Sequence, residues 1–256
     1  MKKRLDKLSE EDFSVLAGPI KSGRQSPESL GVNLLIAPFL IGLLLIIGNV
    51  FVFVDRIEPA HYVVVLLCLL FDMVGAVIIV LAIFYASKKI YKSRQAEQYL
   101  VVTLISQYLF GILPLGIALY MIFDGTQFHH NVPIGNSGMA FFIIGIMVFG
   151  VIVFLFAFLR FIKKLEEGKF RRNTKRDKYR GYLEERSLDF DGIVKKFVIA
   201  FILVAIIIRM ILQVNDIEIL FIGSLTIIIF YTMLFILPEQ LVIWYCMKKF
   251  KSFQSN

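Results

Sequence analysis

The hydrophobic positions of this chain are gathered into long blocks and do not recur at one helical or strand period throughout. Six apolar stretches stand out, at residues 32–54, 62–85, 99–123, 139–162, 197–212 and from 219 to about 245, separated by short charged segments. A helix rises 1.5 Å per residue, so about 20 residues cover the ~30 Å of bilayer hydrocarbon. Five stretches reach that length. The fifth has 16 residues. It crosses only if Ile193 and Val194 are recruited past Lys195 and Lys196, if those lysines snorkel, or if the bilayer thins locally. The pattern predicts an all-α, polytopic transmembrane helical bundle of six spans.

The polar intervals divide the chain further. Residues 1–31 form an N-terminal segment, 32–162 the first four spans, 163–196 a basic loop, 197–245 the last two spans and 246–256 a tail. Ser9, with Asp12 three residues on, has the form of a capping box, and Leu8 with Phe13 that of a hydrophobic staple. A short amphipathic helix over about 9–17 follows, with Gly18 and Pro19 as its stop. Its apolar residues Phe13, Val15 and Leu16 are expected to dock on the membrane surface or on neighbouring loops. From Lys21 to Gly31 the chain is rich in Ser, Gly and Pro and reads as a tether.

Composition agrees with a lipid solvent: 58% of residues are hydrophobic, 19% are charged and the mean hydropathy is +0.76. The net charge of +8 would suggest a nucleic-acid partner in a soluble chain, but its distribution gives another explanation. Counted by position, 26 of the 28 Lys and Arg residues fall in 1–31, 86–98, 160–196 and 246–256. Arg56 lies in an opposite loop and Arg209 within a span. Because basic residues are retained on the cytoplasmic side, both termini are expected inside a plasma membrane, and no nucleic-acid partner is expected. The six spans then form three outward-pointing hairpins. Tyr85, Tyr99, Trp244 and Tyr245 at inner boundaries, and Tyr62 and Tyr120 at outer ones, suit interfacial rings. Cys68 and Cys246 both lie in apolar blocks and are expected as free thiols. The Ile, Phe and Lys rich composition fits a bacterial membrane.

Ionisable residues inside spans are the candidate chemistry, since each costs roughly 2.5 to 3.5 kcal/mol at a helix centre. Asp72 sits near the middle of the second span, either as a relay or substrate contact or as a carboxyl hydrogen-bonded to a neighbouring helix. Arg209 is shallower by six residues, or roughly 9 Å along a helix, which argues against a direct pair with Asp72. Glu239 follows Pro238, where a bend would lay 241–245 along the inner interface and leave the carboxylate near water. Asn33, Asn49 and Gln107 suit contacts between helices, and Pro114 a kink in the third span. In the basic loop, Lys169, Arg171, Arg172, Lys175, Arg176, Lys178 and Arg180 form a cluster suited to anionic lipid headgroups or a protein partner.

Signatures of soluble enzymes are not found. The Gly18 to Gly23 run lacks the Lys and Ser/Thr of a phosphate loop, and the adjacent His129 and His130 have no further ligands to complete a metal site. No cofactor is called for. Two functional classes remain. The first is a non-enzymatic protein acting through contacts, as an accessory subunit of a secretion or export system or as an immunity protein against a membrane-acting toxin. The alternative is a transporter, or a permease subunit partnered with an ATPase, with Asp72 in the translocation path.

Overall fold

A computed structural model describes residues 5, 8–21, 25–54, 62–119, 136–172, 174, 202, 206 and 217–254. The described part is all helical, with no strands, and five of its helices are long and apolar enough to cross a membrane. The fifth apolar stretch, 197–212, lies outside the described residues, apart from Ile202 and Ile206, which are helical.

Helix α1 runs Pro27–Val54, starting earlier than hydropathy alone placed it and absorbing much of the expected tether. The reason is local. Ser26 receives the Ser29 N–H on its Oγ at 3.2 Å and the Leu30 N–H on its carbonyl at 2.9 Å. Pro27 then occupies the first helical position, where a missing N–H costs nothing. Helix α2 spans Tyr62–Ala86 and packs extensively against α1. Gly75 permits the approach: a Cβ there would meet the Tyr108 hydroxyl at 2.6 Å and Leu45 Cδ1 at 2.8 Å.

Helix α3, Gln95–Leu119, contains a π-helical turn at Tyr108–Ile112, just before Pro114. Pro114 has no N–H to give the Phe110 carbonyl, and its ring crowds that carbonyl. The wide turn relieves the conflict, so the irregularity expected at Pro114 takes this form.

Helix α4 spans Asn136–Glu166 and stops at a Schellman motif. The Lys169 N–H reaches Lys164 O at 3.1 Å and the Gly168 N–H reaches Leu165 O at 2.9 Å. Gly168 has φ +65°, a left-handed conformation that glycine adopts without penalty. The reversal sends Phe170 back onto α4, where its ring meets Phe161 edge-on at 5.0 Å.

Helix α5 runs Ile217–Lys249 without ending at Pro238. Gln107 of α3 donates from Nε2 to Met233 O at 3.1 Å and to Gln240 Oε1 at 3.3 Å, supplying hydrogen bonds on either side of the proline. Residues beyond Pro238 are not laid along a surface: Val242, Ile243, Cys246 and Met247 are buried.

Among the described residues two apolar clusters stand out. One joins α1, α2 and α3 around Leu34, Ile41, Ile78, Ile105 and Tyr108. The other lies at the basic end, where Lys88, Lys89, Lys163, Lys164, Lys248 and Lys249 terminate or follow the long helices. It gathers the N-terminal segment, the ends of α4 and α5 and the tail residue Phe253.

Candidate functional site

The expected N-terminal helix is present as a 3-10 helix, Glu10–Ala17, continued by one α-helical turn, Gly18–Lys21. Gly18 takes ordinary right-handed helical angles, so it changes the helix type and does not stop the helix. The capping box forms: the Ser9 N–H and Oγ–H donate to Asp12 Oδ2 at 2.9 and 3.0 Å. Phe13 and Leu16 are fully buried, and Leu8 packs against the same cluster. Docking is therefore onto the protein's own helix ends.

Three ties fix the docking. Asp12 is 4% exposed, and Arg171 Nε donates to its Oδ1 at 2.6 Å. The Val15 N–H and the Ser14 Oγ–H both donate to Phe170 O, at 2.9 and 3.2 Å. The Ser252 hydroxyl donates to the Glu10 carboxylate, and the Phe13 and Phe250 rings lie 5.8 Å apart. Burial by itself would push the Asp12 carboxyl up. The Arg171 guanidinium and the two Ser9 hydrogen bonds outweigh it and hold the group below its ordinary 3.8.

This cap leaves a cleft of about 780 Å³ lined by Ser9, Glu10, Glu11, Ser14, Arg171 and Arg172. Its walls carry opposite charges, with exposed Glu10 and Glu11 on the 3-10 helix and exposed Arg171 and Arg172 beyond α4. Arg171, expected to meet lipid headgroups, is engaged by Asp12, and Lys169 pairs with Glu167 at 2.6 Å. Arg172 faces the cleft. Lys175, Arg176, Lys178 and Arg180 lie outside the described residues.

Within the spans, polar side chains meet neighbouring helices. Asn49 of α1 donates from Nδ2 to Asp72 Oδ1 on α2 at 3.0 Å, and also to Leu45 O at 2.9 Å. One turn of α2 is thus tied to α1, while the Tyr108 hydroxyl of α3 donates to Phe71 O at 2.8 Å. Asp72 is half-buried, as is Glu239 on α5, whereas Asn33 is exposed. Arg209, and with it any pairing to Asp72, lies outside the described residues, as do His129 and His130. Among the described residues no three His, Cys, Asp or Glu side chains are grouped to hold a metal ion. Cys246 is a free, buried thiol.

Sequence reasoning missed Arg171 as the partner of Asp12, 159 positions away. It also missed Gly168, whose place just beyond Lys163 and Lys164 is a readable helix stop. The chain matches no family model, no curated protein and no solved structure.

Proposed function

We propose that this chain is a six-span protein of a bacterial plasma membrane, with both termini cytoplasmic, that acts through protein contacts and not through catalysis. In this reading it is an accessory subunit of a secretion or export system, or an immunity protein against a membrane-acting toxin. The observation that carries the reading is the cap. Three distant parts of the chain are ordered into one surface at the basic end, with a cleft whose walls carry opposite charges. Such a surface suits a partner with complementary charges. The spans add to this, because Asn49, Asp72, Gln107 and Tyr108 all form hydrogen bonds to neighbouring helices or their side chains.

The test is gentle detergent extraction of the full chain from its native membrane, beside a Glu10→Lys, Glu11→Lys variant. A contact role predicts one protein recovered in fixed ratio with the wild type and lost from the variant. A chain that purifies alone, and whose deletion leaves secretion and toxin survival unchanged, contradicts it.

The permease reading is favoured by one observation, the π-helical turn of α3 beside Pro114, because such turns accompany functional sites more often than chance. It predicts that Asp72→Asn lowers flux in reconstituted vesicles. Unchanged flux removes Asp72 from any transport step.

A further inference from the structure

A second cleft, of about 330 Å³, opens where α3 begins and α5 ends. Lys92, Ser93 and Arg94 form one side, and Lys248 stands on the other. Gln95 and Lys248 lie at the terminal turns of two apolar spans, so on the membrane reading the cleft sits at a bilayer boundary. Three cations face one carboxylate, Glu97. That carboxylate is taken up by Lys248 at 3.2 Å, and the same ammonium lies 4.7 Å from the centre of the Trp244 ring. Lys92 and Arg94 are exposed, and their charge is not offset within the lining. Arg94 is the N-cap of a helix that has no side-chain cap, so the positive end of the α3 dipole adds to theirs.

The helix faces beneath the cleft are apolar. On α3, Leu100 and the exposed Leu104 lie one and two turns below Glu97. On α5, half-buried Trp244 and Leu241 descend in the same way from Lys248. A free inorganic anion would use only the head of such a groove. An anionic phospholipid uses both parts.

We propose that the cleft between Lys92, Ser93, Arg94 and Lys248 seats the phosphodiester of an anionic phospholipid, with its acyl chains along Leu100, Leu104, Leu241 and Trp244. This inference rests on the membrane reading but not on the protein-contact role, so either can fail without the other. The site differs from the basic loop expected to meet headgroups, which follows α4.

The experiment is lipid retention by the full chain in neutral detergent, read by native mass spectrometry with phosphatidylglycerol or phosphatidylcholine added. Preferential retention of phosphatidylglycerol is expected. Lys92→Gln with Arg94→Gln should weaken it about 25-fold, at roughly a fivefold loss for each basic residue. Lys92→Arg with Arg94→Lys should restore it, and Lys163→Gln with Lys164→Gln should leave it unchanged. Retention that is equal for the two lipids, or the same in the cleft variant as in the wild type, would overturn the proposal. Displacement of the lipid by excess inorganic phosphate would overturn it too, by marking a site for free anions.

Discussion

The cap at the basic end and the helix pair α2 and α4 are built on opposite terms. In the cap a short 3-10 helix with little stability of its own buries Asp12, Phe13, Val15, Leu16 and Ala17, with Phe13 and Leu16 at 0% exposure. In α2 and α4 only 17% of the most apolar 18-residue stretch is buried against protein, and large side chains such as Phe141 and Leu66 point outward. Water drives the first arrangement, because each enclosed ring removes apolar surface from solvent. It does not drive the second, since lipid tails solvate Leu and Phe as well as a protein interior does. The spans are therefore located by close approach at glycine and by polar contacts such as Asn49 to Asp72. The same residue type should then differ in consequence between the two regions.

The largest effect is expected from Phe13→Ala, at about 3 to 5 kcal/mol for a fully enclosed ring. Phe39→Ala, at a side chain 80% exposed on α1, should change stability by no more than about 0.5 kcal/mol. Thermal unfolding of both variants in the same lipid checks the contrast, and equal losses would erase it. Trp244 is the chain's single tryptophan and packs against the cap cluster, so its emission reports on cap opening directly.

Gly75→Ala comes next, because a Cβ there collides with Tyr108 and Leu45, and overpacking costs about 1 to 3 kcal/mol. Gly42→Ala and Gly145→Ala meet nothing within 4 Å and should be neutral or mildly stabilising. A melting series over the three variants separates close approach from general intolerance of substitution.

The Asp12 to Arg171 pair should follow, at about 1 kcal/mol, because water screens the exposed guanidinium. The sign follows from the lowered carboxyl. Its contribution is complete above 3.8, the ordinary value, and is lost as pH falls through the lower value of the folded state. Trp244 emission titrated from neutral pH to below 3.8 should show the cap loosening in that window. Asp12→Asn should remove the step.

Asn49→Leu is expected to have a smaller effect than these, about 0.6 kcal/mol, typical of hydrogen bonds between membrane helices. Asp72→Asn should be milder still, because an amide oxygen continues to accept from Asn49. A double-mutant cycle on the pair measures their coupling.

Much of this architecture was legible in the chain. The spans appear as blocks because lipid selects continuous apolar runs, and the capping box at Ser9 and Asp12 is a purely local device. What escaped depended on partners far away in sequence. Pro238 reads as a bend until the burial of Val242, Ile243, Cys246 and Met247 among the N-terminal segment and the end of α4 is seen to hold the helix beyond it. Arg171 reads as one cation in a basic cluster until the turn at Gly168 carries it to Asp12. Asn49 and Asp72 were each visible as polar residues in apolar runs, yet only the packing of α1 on α2 makes them a pair. The N-terminal helix was legible, but its docking face, made by Phe170, Phe250 and Phe253, was not, because those rings lie in segments with no pattern of their own.

Hydrogen exchange of the full chain in lipid nanodiscs, followed on the peptide covering residues 10–17, tests the packed cap most directly. Slow exchange is expected in the wild type, with the Val15 amide protected by Phe170, and marked acceleration in Phe13→Ala. Exchange in the wild type as fast as in an unfolded peptide would contradict it.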